Sequence, residues 1–347
     1  PANEWRSPDD GRNVYGVHDA RHRLLGRPTS KSDGTSPANL QAESLADLLV
    51  EASSGASRVY SVSMKDRSAI LLAGKSGKAL WYSKKSVSFV SSDFYFERLP
   101  EWVDEFNETQ VRPLSDATWE LSHPRDSYVF GDRDDQPWER DYAGLGTTFP
   151  HELWGTSDFG AALRFTPMAD ELLFELAGRM LQTQRLGQSG TTDMLAIGLS
   201  ATDYIGHAFG PDSLEAEDNL LRLDASLAAF LDLVDRVVGP GRTIVALSSD
   251  HGTPSAPEWT RLHGGGDVGR VDTQGMIAGL RDHLRERFEV EGDPVLGFNH
   301  PSIFLDRGVL ARGGVDMVDA ERVAAEFVAG FEGMAAAYTR TDLMRGR

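Results

Sequence analysis

The chain contains no cysteine. That removes disulfides, thiolate zinc sites and cysteine nucleophiles together. It leaves the compartment open, because an exported chain without staples and a cytosolic one look alike by this measure. Long apolar runs are also missing. No stretch approaches the ~18 apolar residues that crossing a bilayer requires, so no membrane partner is expected. Basic residues are scarce beside acidic ones, 35 against 53, for a net charge of −18. A nucleic-acid backbone needs clustered Lys and Arg, so nucleic acid is not an expected partner either. A small phosphate ester still suits an acidic protein if local cations, such as bound metal ions, reverse the field. Pro1 opens the chain with no charged-then-apolar leader, and Asp342 to Arg347 carry no stop signal. Both ends read as cuts. Internal repeats are absent.

What is present is an ordinary globular composition, 347 residues with 40% hydrophobic content, enough for a large core. Residues 58–63 read as a strand, followed by a turn that opens a short helix over 64–72. Ser36-Pro37 has the form of a helix start, with Ser36 as cap and the helix running through Leu45, Leu48 and Leu49. Residues 81–154 hold five of the seven tryptophans and the acidic run Asp132-Arg133-Asp134-Asp135. The region from 76 to 166 therefore reads as an inserted cap, and 253–300 as a smaller insertion. Apolar residues at helical spacing predict helices over 167–185 and 214–238. Short apolar runs predict strands at 193–200 and 243–248.

Strand, helix, strand in that order implies a right-handed parallel crossover. In such sheets ligands collect at the carboxyl ends of the strands. Two Asp/His pairs fall there. Asp203 and His207 are four apart, so on one helical turn they face the same way and can close on one ion. Asp250-His251-Gly252 follows the last strand. Either pair alone reads as readily as a cap with a surface histidine, or as a turn. Two such pairs at consecutive strand ends favour a two-metal site.

These segments resemble a known family. Thr192-Asp193-Met194-Leu195, Thr202 to His207, Phe209-Gly210-Pro211, Glu217-Asp218 and Asp250-His251-Gly252 are similar to the alkaline phosphatase superfamily. The nearer likeness is to its type I phosphodiesterase/nucleotide pyrophosphatase-like group and the phosphate-insensitive bacterial alkaline phosphatases. Upstream, Asn3-Glu4-Trp5, Ser36 to Leu40, Ser63 to Ile70 and Leu99 to Val103 extend the likeness over nearly the whole chain. The resemblance implies a three-layer α/β sandwich, a mostly parallel central sheet and one domain over 1–347. It implies two zinc ions, with Asp203 and His207 on one and Asp250 and His251 on the other. Asn3, Lys65 and Arg67 match positions that hold non-bridging phosphoryl oxygens. Arg67 would bind as a fork and Lys65 as a point charge. Cations at a helix N-terminus oppose the dipole, which argues for a purpose beyond the helix.

The resemblance further implies a Thr or Ser nucleophile and an Asp ligand in a segment before Asn3, and a His ligand beyond Arg347. His263 reads as part of a glycine-rich loop, His300 as a strand entry, and Thr35-Ser36 as loop and cap. The chain thus reads as a fragment with part of a site. The complete enzyme would hydrolyse phosphate monoesters through a phospho-Thr/Ser intermediate, with a small phosphate ester as its partner and export to the periplasm or beyond. Two cations on the non-bridging oxygens favour a monoester dianion. Phosphodiesterase or nucleotide pyrophosphatase action stays open, as does a non-catalytic metal- or phosphate-binding role. A sulfatase is disfavoured because its Cys-x-Pro-x-Arg motif is absent. Asp/His pairs also suit manganese or iron.

Overall fold

The computed structural model describes residues 3–7, 11–27 and 33–346. The chain forms two compact units, residues 17–259 and residues 1–16 with 260–347. The larger unit is built on a five-stranded mixed sheet. Its strands are β1 (Leu24–Leu25), β2 (Val59–Ser63), β3 (Lys78–Ser83), β4 (Ser88–Ser92) and β5 (Met194–Gly198), in spatial order β1-β4-β3-β2-β5. β2 runs parallel to both β3 and β5, while β4 runs antiparallel to β3 and β1. The register sets Ser63 opposite Gly198, so β2 and β5 end side by side. β3 and β4 lie within the stretch read as an inserted cap, so the sheet claims the first part of it.

Longer helices serve this unit. They are α1 (Leu45–Ala52), α2 (Asp66–Ala73), α3 (Met168–Thr183), α4 (Ala201–Phe209) and α5 (Leu214–Val238). The apolar periodicity located α3 and α5 closely. Val62, Leu80, Phe89, Leu173, Leu176, Met180 and Ile205 are fully buried between sheet and helices. The helix expected from Ser36 begins instead at Leu45. Ser44 and Asp47 close a capping box there, while Ser36 is buried and donates to Asp19 at 2.6 Å. A hydroxyl already committed to a carboxylate, and accepting from Ala38 N at 3.1 Å, is not available to start a helix eight residues on.

The strand expected at 243–248 does not form. Among the described residues nothing pairs with this run, and Ile244 and Leu247 are 97% and 75% exposed. β-propensity is realised only against neighbouring strands, and this run has none. The crossover through α5 therefore ends in an open segment.

After β4 the chain becomes irregular, with short helical turns and two paired dipeptides, Thr118–Trp119 and His151–Glu152. This region is fastened to the first turns of α5. Asp218 is fully buried and accepts from Trp119 Nε1 at 2.6 Å, Tyr128 Oη at 2.6 Å and Ser122 N at 2.8 Å. Glu217 accepts the Val129 and Phe130 amides at 2.8 and 2.9 Å. Burial pushes the Asp218 carboxyl up, but these donors outweigh it and hold it below the usual range.

The smaller unit has its own core of Met276, Leu280, Leu284, Val295 and Val323. Helices Thr273–Phe288 and Met317–Ala329 pack there with the hairpin Val295–Asn299 and Ser302–Leu305. A second hairpin, Glu4–Arg6 with Asn13–Tyr15, is tied in by Asn299 Nδ2 donating to Glu4 O at 2.9 Å. Among the described residues no helix is long and apolar enough to cross a membrane.

Candidate functional site

The carboxyl ends of β2 and β5 form the floor of a polar cluster. Ser63 Oγ donates to Gly198 O at 2.8 Å and accepts the Lys65 amide at 3.1 Å, fixing the turn from β2 into α2. Gly198 is required here, because a Cβ would lie 2.3 Å from Ser68 Oγ and 2.8 Å from Ser63 Oγ. The chain then enters α4, whose start is held by Asp170 of α3. This carboxylate is 3% exposed and accepts the Ser200 and Ala201 amides at 2.8 and 3.1 Å, satisfying donors that a helix N-terminus leaves unpaired. Burial raises its pKa to about 6, against the pull of those amides and of Lys65.

With its start pinned, α4 sets Asp203 and His207 on one side. His207 Nε2 lies 3.4 Å from Asp203 Oδ1. Lys65, at the N-cap of α2, donates its ammonium to Asp203 Oδ2. From the open segment, His251 Nε2 reaches to 3.5 Å from Asp203 Oδ1 and 3.7 Å from Asp250 Oδ2. Asp203 is therefore the hub, with two imidazoles on one oxygen and an ammonium on the other. Burial drives its pKa up, but Lys65, His207 and His251 prevail and keep it below the carboxylate norm. α4 ends at Gly210, whose φ of +91° suits glycine, close under Trp138 of the irregular region.

The structure thus gathers five of the seven residues singled out in the sequence: Lys65, Asp203, His207, Asp250 and His251. Arg67 lies in the first turn of α2, and the ion pair to Asp203 is made by Lys65. Asn3 lies in the smaller unit, exposed, its carbonyl accepting the Gly16 amide at 2.9 Å. His263 and His300 are exposed in that unit as well. Three further residues beside the cluster escaped the sequence reading: Asp170, Tyr204, whose ring centroid lies 4.7 Å from Lys65 Nζ, and Arg164, which donates to the Tyr204 hydroxyl. Asp170 interrupts an otherwise apolar helix face, a signal that was legible in principle. Tyr204 and Arg164 offered no such sign.

The donors suit a divalent ion in kind, since two carboxylates and two imidazoles in adjacent pairs match the O and N preferences of zinc. Among the described residues no group of three His, Asp or Glu side chains is arranged to hold an ion. The pairs are assembled, and a closed shell is not.

Comparison with known proteins bears on family and fold. The family model described as type I phosphodiesterase / nucleotide pyrophosphatase matches residues 2–300. Alkaline phosphatase PhoV of Synechococcus elongatus is 37% identical over 265 residues, covering 75% of this chain and 48% of that protein. Alkaline phosphatase PafA of Elizabethkingia meningoseptica is 31% identical over 327 residues, covering 91% and 58%. The crystal structure of wild-type PafA superposes with a TM-score of 0.90 at 29% identity, over 99% of this chain and 66% of that one. The chain spans about half to three-fifths of the length of these curated relatives.

Proposed function

Because the chain belongs to the type I phosphodiesterase/nucleotide pyrophosphatase family, we propose that it serves the metal-dependent hydrolysis of small phosphate monoesters. The observation that carries this reading is the meeting of Lys65, His207 and His251 on Asp203 at the paired ends of two parallel strands. Asp203, His207, Asp250 and His251 would hold the metal, with zinc as the expected ion and two as the expected number. When bound, the metal supplies Lewis-acid stabilisation of the attacking and leaving oxygens. The chain's own residues do the rest. Lys65, which already pairs with a carboxylate oxygen, is suited to exchange it for a phosphoryl oxygen of like charge. Arg67 adds a fork of donors two residues on. Asp170 fixes α4 so that Asp203 and His207 need no reorganisation on binding. The Thr or Ser nucleophile that the resemblance implies is not one of these residues. The role assigned here is binding and charge stabilisation around a phospho-Thr/Ser intermediate. Export to the periplasm or beyond belongs to the same proposal, supported by the bacterial alkaline phosphatases among the relatives.

The family description favours a second reading, action on diesters. The two separate on substrate charge: a monoester dianion engages both Lys65 and Arg67, whereas a diester brings one fewer charge. The test measures zinc stoichiometry by plasma emission spectrometry on this chain, alongside hydrolysis of p-nitrophenyl phosphate and bis-p-nitrophenyl phosphate by the complete enzyme. Zinc uptake lost in Asp203→Ala, with a preference for the monoester, is the expected result. A preference for the diester sinks the monoesterase reading. Zinc or phosphate binding with no turnover of either ester would leave only a non-catalytic binding role.

A further inference from the structure

Besides Asp203, Lys65 has an aromatic neighbour, Tyr204. The Tyr204 ring centroid lies 4.7 Å from Lys65 Nζ and 4.8 Å from the Arg164 guanidinium carbon. Arg164 Nη1 donates to the Tyr204 hydroxyl at 2.9 Å, and among the described residues its buried Nε finds no partner. The ring also packs on Phe165 at 5.1 Å, and Phe165 stacks on Tyr142 at 4.6 Å. Tyr204 is thus fixed at its hydroxyl by a cation and along its ring by Phe165, while its π-face attracts the ammonium.

This arrangement answers a difficulty in the site. Lys65 carries a point charge on a flexible four-carbon stem, and among the described residues the ion pair it makes is with Asp203. A carboxylate engaged by a metal has less charge to offer an ammonium, so Asp203 is a poor permanent anchor. The Tyr204 ring competes for neither partner. It offers the metal no lone pair from its face, and it leaves the lysine charge intact for a phosphate.

We infer that Tyr204, clamped by Arg164, is the positioning residue of Lys65, keeping the ammonium presented to the non-bridging oxygens of a phosphate monoester. The catalytic half of this inference rests on the monoesterase reading. The contact itself does not. The chain has six lysines, so ε-13C-lysine labelling gives a spectrum of six signals, with Lys65 identified by its loss in Lys65→Arg. Ring current predicts that this signal lies upfield of a lysine with no ring beside it, loses its displacement in Tyr204→Leu, keeps it in Tyr204→Phe and moves part-way back in Arg164→Met, whereas the signal of Lys78, whose ammonium lies 5.4 Å from the Phe96 ring centroid, responds to none of these changes. An undisplaced Lys65 signal, or one insensitive to Tyr204→Leu, overturns the inference even in a chain that binds no metal. In the complete enzyme, Tyr204→Leu is expected to lower kcat/KM for p-nitrophenyl phosphate about ten- to a hundredfold, the cost of a displaced catalytic group. Tyr204→Phe should restore most of it, and Tyr204→Leu should add nothing in a Lys65→Ala background. Multiplying effects in that double variant overturn the positioning role while leaving the monoesterase reading intact. A complete enzyme inactive on monoesters sinks that reading, and the lysine spectrum still decides the contact.

Discussion

The two Asp/His pairs carry the same chemistry on opposite kinds of support. Asp203 and His207 stand on α4, whose first amides are capped by a buried carboxylate and whose Ile205, Ala208 and Phe209 are sealed in the core. Asp250 and His251 stand on a segment that is exposed from residue 241 to 254 and has no ladder partner among the described residues. Side-chain chemistry names the donors; the scaffold decides which are pre-organised. The first pair is held before anything binds. The second meets the first only through His251 contacts at 3.5 Å and beyond.

Attacking the support of the rigid pair should give the largest effect. Asp170→Ala leaves the Ser200 and Ala201 amides buried and unpaired, at a cost of about 2–4 kcal/mol, read from urea unfolding. Asp170→Asn keeps an acceptor and should cost less. A pH series sharpens the same point. The Asp170 pKa rises from an ordinary 3.8 to about 6 on folding, so the native state holds this proton more tightly. Its contribution to stability is therefore greatest in acid, falls as pH rises from about 4 to about 6, and is flat above. That drop, ~2–3 kcal/mol at this shift, should appear in the difference between wild type and Asp170→Asn and vanish within the variant.

Hydrogen exchange compares the pairs directly. Amides of Ile205 to Phe209 should exchange orders of magnitude more slowly than those of Ile244 to Gly252 in the metal-free chain. Equal protection would erase the distinction. Added zinc should slow exchange at 249–253 and leave α4 unchanged, and His251→Ala should abolish the slowing. The smallest effect belongs to the open pair alone: Asp250→Asn in metal-free protein should change stability by less than about 0.5 kcal/mol.

This contrast also explains what the sequence made legible. α3 and α5 were readable because their apolar positions recur at three and four, a local signal that their packing obeys. The Asp203/His207 pair was readable for the same reason. The strand at 243–248 was misjudged because its apolar residues state a preference, whereas a strand needs a partner that no local pattern names. Ser36 was misread as a cap because its competitor, Asp19, sits seventeen residues away in sequence. The brace of Arg164 on Tyr204 joins residues forty apart, and neither breaks a pattern in its own segment.

Asp218 and Glu217 have a consequence for how such a protein diversifies. Both accept from side chains and amides of 119–130, and a carboxylate accepts any N–H or O–H that reaches it. The start of α5 is therefore a socket that reads donor geometry and ignores the rest of the loop's spelling. A replacement loop needs only to return an indole, a phenol or a few amides to those four oxygens to dock at the same place. The sheet edge that gathers Lys65 and Asp203 then stays fixed, while the irregular region above α5 is free to drift as an exchangeable cassette.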